Sequence, residues 1–140
     1  MLKNIPKTLS PDLLKVLCEM GHGDEIVIGD GNFPAASNAN ILVRADGIGA
    51  CEILDAVLQV FPLDQYDPDN FVLMQKVEGD NTDTSIWKDY EKILKKYEPD
   101  AQVSFEERFA YYDRAKKAYA VIATGEEKKY ANIILKKGCV

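Results

Sequence analysis

Five short apolar runs punctuate the chain: EIVIG, NILVRA, FVLMQKV, YAVIATG and NIILKKG, with a sixth, weaker one near QVSF. Each is too short for a helix and too uniformly apolar for a sheet wetted on one face, so each reads as a strand buried on both sides. Amphipathic stretches of helical length stand between most of them. Strands separated by helices require crossover connections, which make neighbouring strands parallel and cover both faces of the sheet. The last two runs are joined only by a short polar loop, which allows them to pair antiparallel. The expected fold class is α/β, a three-layer α/β/α sandwich around a mixed, mostly parallel sheet.

The helices carry their own punctuation. SPDLLKVLCEMG has Ser10 as N-cap, Pro11 in the first turn and Gly21 as its stop. GACEILDAVLQVF puts Ile53, Leu54, Val57, Leu58 and Phe61 on one face and ends at Pro62. SIWKDYEKILKKYEP reads as a polar-faced helix capped by Thr84, and EERFAYYDRAKKA as another. With no repeat, linker or low-complexity tract, the 140 residues form one domain, 1–140, large enough for a core without disulfides or metal.

Charge and cysteine usage remove several classes of function. A net charge of −6 argues against binding to nucleic acid or an anionic membrane surface, both of which reward cations. The lysine pairs are scattered and interleaved with acids, as on a solvated face. Cys18, Cys51 and Cys139 show no C-x-x-C spacing and no disulfide framework, which suits a reducing compartment and a cytoplasmic location. MLKNIPKTLS lacks the apolar run of a signal peptide, and no stretch approaches membrane-spanning length.

Cofactor motifs are equally sparse. One histidine and three dispersed cysteines make no zinc cluster. DNTDTSIWKDYE has acids at the ends of a calcium-loop spacing but lacks the turn glycine, and a capped helix start explains it better. RADGIGACE offers Gly47 and Gly49 without the third glycine of a dinucleotide fingerprint, so it reads as a tight strand-to-helix turn. There is no G-x-S-x-G elbow and no P-loop. These motifs point to no metal and no nicotinamide cofactor.

Candidate chemistry collects in three places. MGHGDEIVIGDGNFP holds the only histidine, His22, between two glycines that leave it unshielded. An imidazole exchanges protons near neutrality, so His22 is either a general acid or base or a surface residue of a helix-to-strand turn. Asp30 ends the following strand, where α/β sheets collect ligands; it is equally a turn-former before Gly31. RFAYYDR sets Arg108 and Phe109 each one helical turn from Tyr112, spacing that serves a core or a polyhydroxylated ligand. KYANI adds Tyr130 and Asn132, a hydroxyl and an amide at a strand start.

Taken together, GHGDEIVIGDGNFP, RADG, VEGD, ERFAYYDRAKKAYAVIATGE and KYANIILKKG resemble the RbsD/FucU family of sugar mutarotases, in order and across essentially the whole chain. RFAYYDRA favours the L-fucose mutarotase branch over the D-ribose pyranase branch. The resemblance implies an RbsD-like fold and an isomerase that interconverts the α and β anomers of a free monosaccharide, L-fucose foremost. It further implies His22 as proton donor, substrate contacts from Asp30, Arg108, Tyr130, Ala131 and Asn132, and a homo-oligomer, a decamer of two pentameric rings, with no metal or organic cofactor. Tyr112 or Phe109 would pack on the apolar edge of such a sugar. Many relatives carry alanine after the loop aspartate, whereas this chain has Gly31-Asn32. The base that removes the anomeric proton stays open between Asp30 and Tyr130. A non-catalytic sugar-binding or transport-accessory protein, and a D-ribose pyranase, are the competing readings.

One spacing bears on assembly. Asp30 lies eight residues beyond His22, with extended EIVIG between them. Fully extended, that segment spans roughly 26 Å, more than a pyranose ring can bridge. The glycines at its ends would have to curl the two residues together, or the site draws on a neighbouring chain. A strand fixed within a sheet favours the second, a composite site.

Overall fold

The computed structural model describes residues 1–140. In chain order the elements are α1 (Pro11–Glu19), β1 (Glu25–Gly29), α2 (Ala35–Asn38), β2 (Leu42–Ala45), α3 (Ala50–Leu58), β3 (Phe71–Met74), α4 (Ile86–Tyr97), β4 (Ser104–Glu106), α5 (Arg108–Lys117), β5 (Ala120–Thr124) and β6 (Ile133–Lys136). The six strands form one sheet in the order β2-β5-β1-β6-β3-β4. β1 and β2 run parallel to β5, and β3 runs parallel to β4. β6 is antiparallel to both of its neighbours, β1 and β3.

Side chains alternate across a strand, and here the alternation sorts them into two cores. Ile26, Ile28, Ile122, Ile133 and Leu135 point to the side covered by α1, α3 and α4, where Leu13, Leu54 and Leu94 meet them. Val27, Val121, Ile134 and Met74 point to the other side, against Phe33, Ala35 of α2, and Tyr111 and Ala115 of α5. Both faces of the four central strands, β5, β1, β6 and β3, are therefore dry, which is why these strands lack polar alternation, while the edge strands β2 and β4 keep exposed positions. The architecture is the three-layer α/β/α sandwich with a mixed, mostly parallel sheet. No helix is long and apolar enough to cross a membrane.

Local signals behave as their chemistry dictates at some places and not at others. Ser10 caps α1, its hydroxyl accepting the Leu13 N–H at 3.1 Å, with Pro11 in the first turn. Gly47 adopts φ +80°, a conformation glycine takes without strain, and turns the chain from β2 toward α3. Thr84 does not cap α4: the N-cap is Ser85, whose hydroxyl and amide are drawn to the Asp83 carboxylate instead. The four-residue α2 lies in a stretch that carries no helical periodicity.

The last two strands correct a local expectation. β5 and β6 do not pair with each other, because β1 lies between them. β6 is antiparallel, as a short connection permits, but its partners are β1 and β3. Arg114 of α5 reinforces this arrangement at the far end of the sheet, gripping Glu25 of β1 through Nε and Nη2 at 2.8–3.1 Å.

Candidate active site

Placing an antiparallel β6 beside β1 brings the end of one strand against the start of the other. Asp30, just beyond β1, and Asn132, just before β6, clasp each other there. The Asp30 N–H donates to Asn132 Oδ1 at 2.8 Å, and the Asp30 carboxylate accepts the N–H groups of Asn32 at 2.9 Å and Ala131 at 3.3 Å. Asp30 and Asn132 are each only 5% exposed. Burial pushes the Asp30 carboxyl above its ordinary range; the amides of Asn32, Ala131 and Phe33 pull it back down, and the charge of Glu126 adds to the rise. Gly31 fits this corner closely: its N–H reaches the Glu126 carbonyl at 2.7 Å, and a Cβ would stand 3.0 Å from the same oxygen.

A shallow pocket of about 240 Å³ opens beside the clasp. Asp30, Asn132, Arg108, Tyr130 and Asp80, with Asn32 and Lys129, supply its polar wall, and Phe33, Met74 and Tyr112 its apolar one. The Phe33 and Tyr112 rings stack at 5.8 Å with an interplanar angle of 21°. Asn132 Oδ1 is taken by the Asp30 amide, which leaves its Nδ2 to the pocket. Arg108 is the first residue of α5; no carboxylate pairs with its guanidinium, which lies 5.2 Å from the Phe109 ring centre. A buried carboxylate, a free amide donor, a free guanidinium and an aromatic wall together suit a polyhydroxylated ring with one apolar side.

Tyr130 is the strained member. Its φ of +56° is left-handed, a conformation that costs a side-chain-bearing residue about 1–2 kcal/mol. Neighbours enforce it: Trp87 Nε1 donates to the Tyr130 carbonyl at 2.7 Å, and the Tyr130 hydroxyl donates to Asp80 at 2.7 Å. The hydrogen bond to Asp80 raises the Tyr130 hydroxyl above the ordinary tyrosine range, so the phenol keeps its proton at neutrality.

His22 sits at the opposite edge of the sheet. The five residues of β1 alone separate the two edges by about 17 Å. There His22 Nε2 lies 3.1 Å from Asp64 Oδ1; the histidine side chain is 47% exposed and that of Asp64 only 7%. Asp64 is fixed by the Tyr66 N–H at 3.0 Å, and its carbonyl accepts Asn70 Nδ2 at 2.8 Å. The Tyr66 amide and then the imidazole hold the Asp64 carboxyl below the ordinary range. An ionised carboxylate only accepts, so Nε2 carries the hydrogen and Nδ1 faces outward. The Tyr66 ring stands 5.9 Å from the imidazole.

The structure thus gathers Asp30, Arg108, Tyr112, Tyr130 and Asn132 around one pocket and leaves His22 outside it. Ala131, between Tyr130 and Asn132, does not itself line the pocket. It is fully buried, with its N–H given to Asp30 and its carbonyl accepting the Tyr90 hydroxyl at 2.8 Å, so it braces the pocket from behind. Phe109 is 68% exposed and does not line the pocket, because α5 turns Tyr111 and Ala115 inward instead. The roles of Asp64 and Asp80 are not readable from the sequence: both lie in irregular Asp- and Pro- or Thr-rich loops where no periodicity marks a functional side chain. Asp80 closes the VEGD motif and opens the rejected calcium spacing, but neither pattern assigns it a partner.

The chain is similar to known proteins along almost its whole length. Residues 3–140 match the model of the RbsD / FucU transport protein family. The chain is 50% identical over 139 residues to the L-fucose mutarotase of Actinobacillus pleuropneumoniae serotype 5b, covering 99% of this chain and 96% of that protein. It superimposes with a TM-score of 0.94 and 50% identity on the crystal structure of the fucose mutarotase of Streptococcus pneumoniae in complex with L-fucose, covering 99% of each chain. Bacillus subtilis RbsD complexed with D-ribose shares the fold at a TM-score of 0.75 and 22% identity, over 100% of this chain and 99% of that one. A shared fold, and half-identity sustained along almost the entire length, make this chain a member of the RbsD / FucU family.

Proposed function

We propose that this protein is an isomerase, a mutarotase that interconverts the α and β anomers of a free monosaccharide, L-fucose foremost. One observation carries the reading: a pocket with a polar wall of Asp30, Arg108 and Asn132 facing a stacked aromatic wall, in a chain half identical throughout to an L-fucose mutarotase. L-Fucose combines hydroxyl groups with a deoxy carbon, and the two walls match those two kinds of surface.

The chemistry needs only proton transfers. The imidazolium of His22 gives its proton to the ring oxygen as the bond from that oxygen to C1 breaks. At the same time the anomeric hydroxyl gives its proton to the Asp30 carboxylate, the base left on the pocket wall when Tyr130 keeps its own proton, and its oxygen becomes the aldehyde carbonyl. Rotation about the C1–C2 bond and closure by the reverse transfers yield the other anomer. Asp64 orients His22 by accepting a hydrogen bond from its Nε2. Asp30, Arg108 and Asn132 hold hydroxyl groups, and Tyr112 with Phe33 packs on the apolar edge.

Within one protomer His22 cannot reach the pocket, so the reading includes a site shared between protomers of a homo-oligomer. Its size, a decamer of two pentameric rings, follows from the family resemblance, and its cytoplasmic location is in keeping with three free cysteines. Magnetisation-transfer NMR of anomeric exchange tests the function with L-fucose, D-ribose and D-galactose in turn. Exchange of L-fucose should accelerate on adding protein, with no cofactor supplied and with chelator present. Equal rates with and without protein for all three sugars overturn the catalytic reading and leave a sugar-binding protein.

A further inference from the structure

We infer that Asp80 is a positioning residue that sets the direction of the Tyr130 hydroxyl proton and so turns the tyrosine oxygen into a hydrogen-bond acceptor toward the pocket. The inference rests on the proposed sugar site and adds a role that the site geometry alone leaves open. Tyr130 lines the pocket, and a phenol there is able either to donate to a sugar hydroxyl or to accept from one. Which it does depends on where its own proton is engaged.

The geometry around Asp80 decides this. Oδ1 is filled from its own loop, accepting the Thr82 N–H at 2.9 Å and the Thr82 hydroxyl at 2.6 Å. Oδ2 meets only the Tyr130 hydroxyl, at 2.7 Å. A carboxylate has no proton to offer, so Tyr130 is the donor in that contact and its proton is committed to Asp80 at the pocket's rim rather than to a ligand. The Val77 N–H approaches the phenol oxygen at a loose 3.4 Å, leaving it free to accept from a ligand. Lys76 braces the loop by donating Nζ to the Thr82 carbonyl at 3.0 Å. The strained backbone of Tyr130 belongs to the same device, since strain persists where surrounding contacts over-determine a functional geometry.

A donor engaged with an anion is also a better acceptor, because hydrogen bonds in a chain polarise one another. Tyr130 would thus draw on the anomeric or a neighbouring sugar hydroxyl as that group gives up its proton. In Asp80→Asn the amide can donate, the contact can reverse, and the Tyr130 proton is free to turn into the pocket.

A double-mutant cycle with Tyr130→Phe, read by L-fucose exchange, tests the assignment. Asp80→Asn should slow exchange roughly tenfold to a hundredfold, the worth of one hydrogen bond to a charged group. In the Tyr130→Phe background it should have almost no further effect. Wild-type exchange in Asp80→Asn, or an equal loss in both backgrounds, overturns the inference and leaves Asp80 a loop-folding residue. A second readout does not depend on activity. With ¹³Cζ-labelled tyrosine, the Tyr130 resonance should titrate above the ordinary phenol range in the wild type and fall back toward it in Asp80→Asn. Should that variant not fold, Asp80→Glu keeps the charge but moves the oxygen, and an unchanged Tyr130 titration there would also overturn the proposal. Absent exchange in the wild type defeats the mutarotase reading alone, whereas an unmoved resonance defeats the Asp80 assignment alone.

Discussion

The two edges of the sheet carry different kinds of polar site. At the carboxyl edge of β1, Asp30 and Asn132 are buried and bond each other's segments, while Tyr130 is locked by Trp87 and Asp80. At the amino edge, His22 is half exposed and has one polar side-chain partner, Asp64. Folding one chain completes the first, because an unsatisfied buried polar group costs about 1–3 kcal/mol and each group there braces another. The second is left open to whatever docks on it. A rigid binding half and an open proton-transfer half are what a site divided between neighbouring protomers requires.

The strongest way to break this comparison is to remove the imidazole. His22→Ala should reduce L-fucose exchange by about 10²–10⁴-fold, the usual worth of a general acid, while sugar binding persists in saturation-transfer spectra. Asp30→Ala should weaken binding as well. Full activity in His22→Ala ends the mechanism. Complementation then tests the division itself. His22→Ala protein, dissociated and reassembled with a Tyr130→Phe/Asn132→Ala protein, should recover exchange that neither has alone. If mixed assemblies form and stay inactive, while an engineered monomer is active, the site lies within one chain.

Smaller effects sharpen the contrast. Asp64→Asn should slow exchange roughly tenfold to a hundredfold with sugar affinity unchanged, since it loosens the imidazole and touches nothing in the pocket. Tyr111 is fully buried on the same side of the sheet as Phe33, and its hydroxyl has no partner. Tyr111→Phe should therefore raise stability by about 1–3 kcal/mol in denaturant unfolding. A loss would show that the hydroxyl is satisfied after all. The mildest effect is on acid stability. Thr82 and Tyr130 hold the Asp80 carboxyl at about 2 in place of its ordinary 3.8, so the unfolded chain takes up that proton first. The stability Asp80 contributes is present above its ordinary range and is lost as pH falls toward 2. Asp80→Asn should flatten the acid limb of stability between about pH 4 and pH 2, and an unchanged limb contradicts the shift.

Much of this arrangement is legible along the chain because it rests on local periodicity. The apolar runs at Ile26–Ile28, Phe71–Met74, Val121–Ala123 and Ile133–Leu135 are strands buried on both faces, and the Ser10–Pro11 pair starts α1 where capping chemistry places it. The separation of His22 from Asp30 follows from extended geometry alone. Asp64 and Asp80 were illegible for the converse reason. Each works through a partner far along the chain, His22 across 42 residues and Tyr130 across 50, and no short-range pattern encodes such a contact.

The sequence by itself determined the six strands, the four longer helices, the doubly covered centre of the sheet and the reach of the segment between His22 and Asp30, since steric periods of two and 3.6 residues and the rise of a strand act locally. Only the tertiary structure decided that β1 would part β5 from β6. That choice seats Asn132 against Asp30, buries Ala131 behind them and turns Phe109 outward while Tyr112 lines the pocket. Strand order is set by how both cores close and how buried polar groups find partners, a condition on the whole chain at once that no single segment carries.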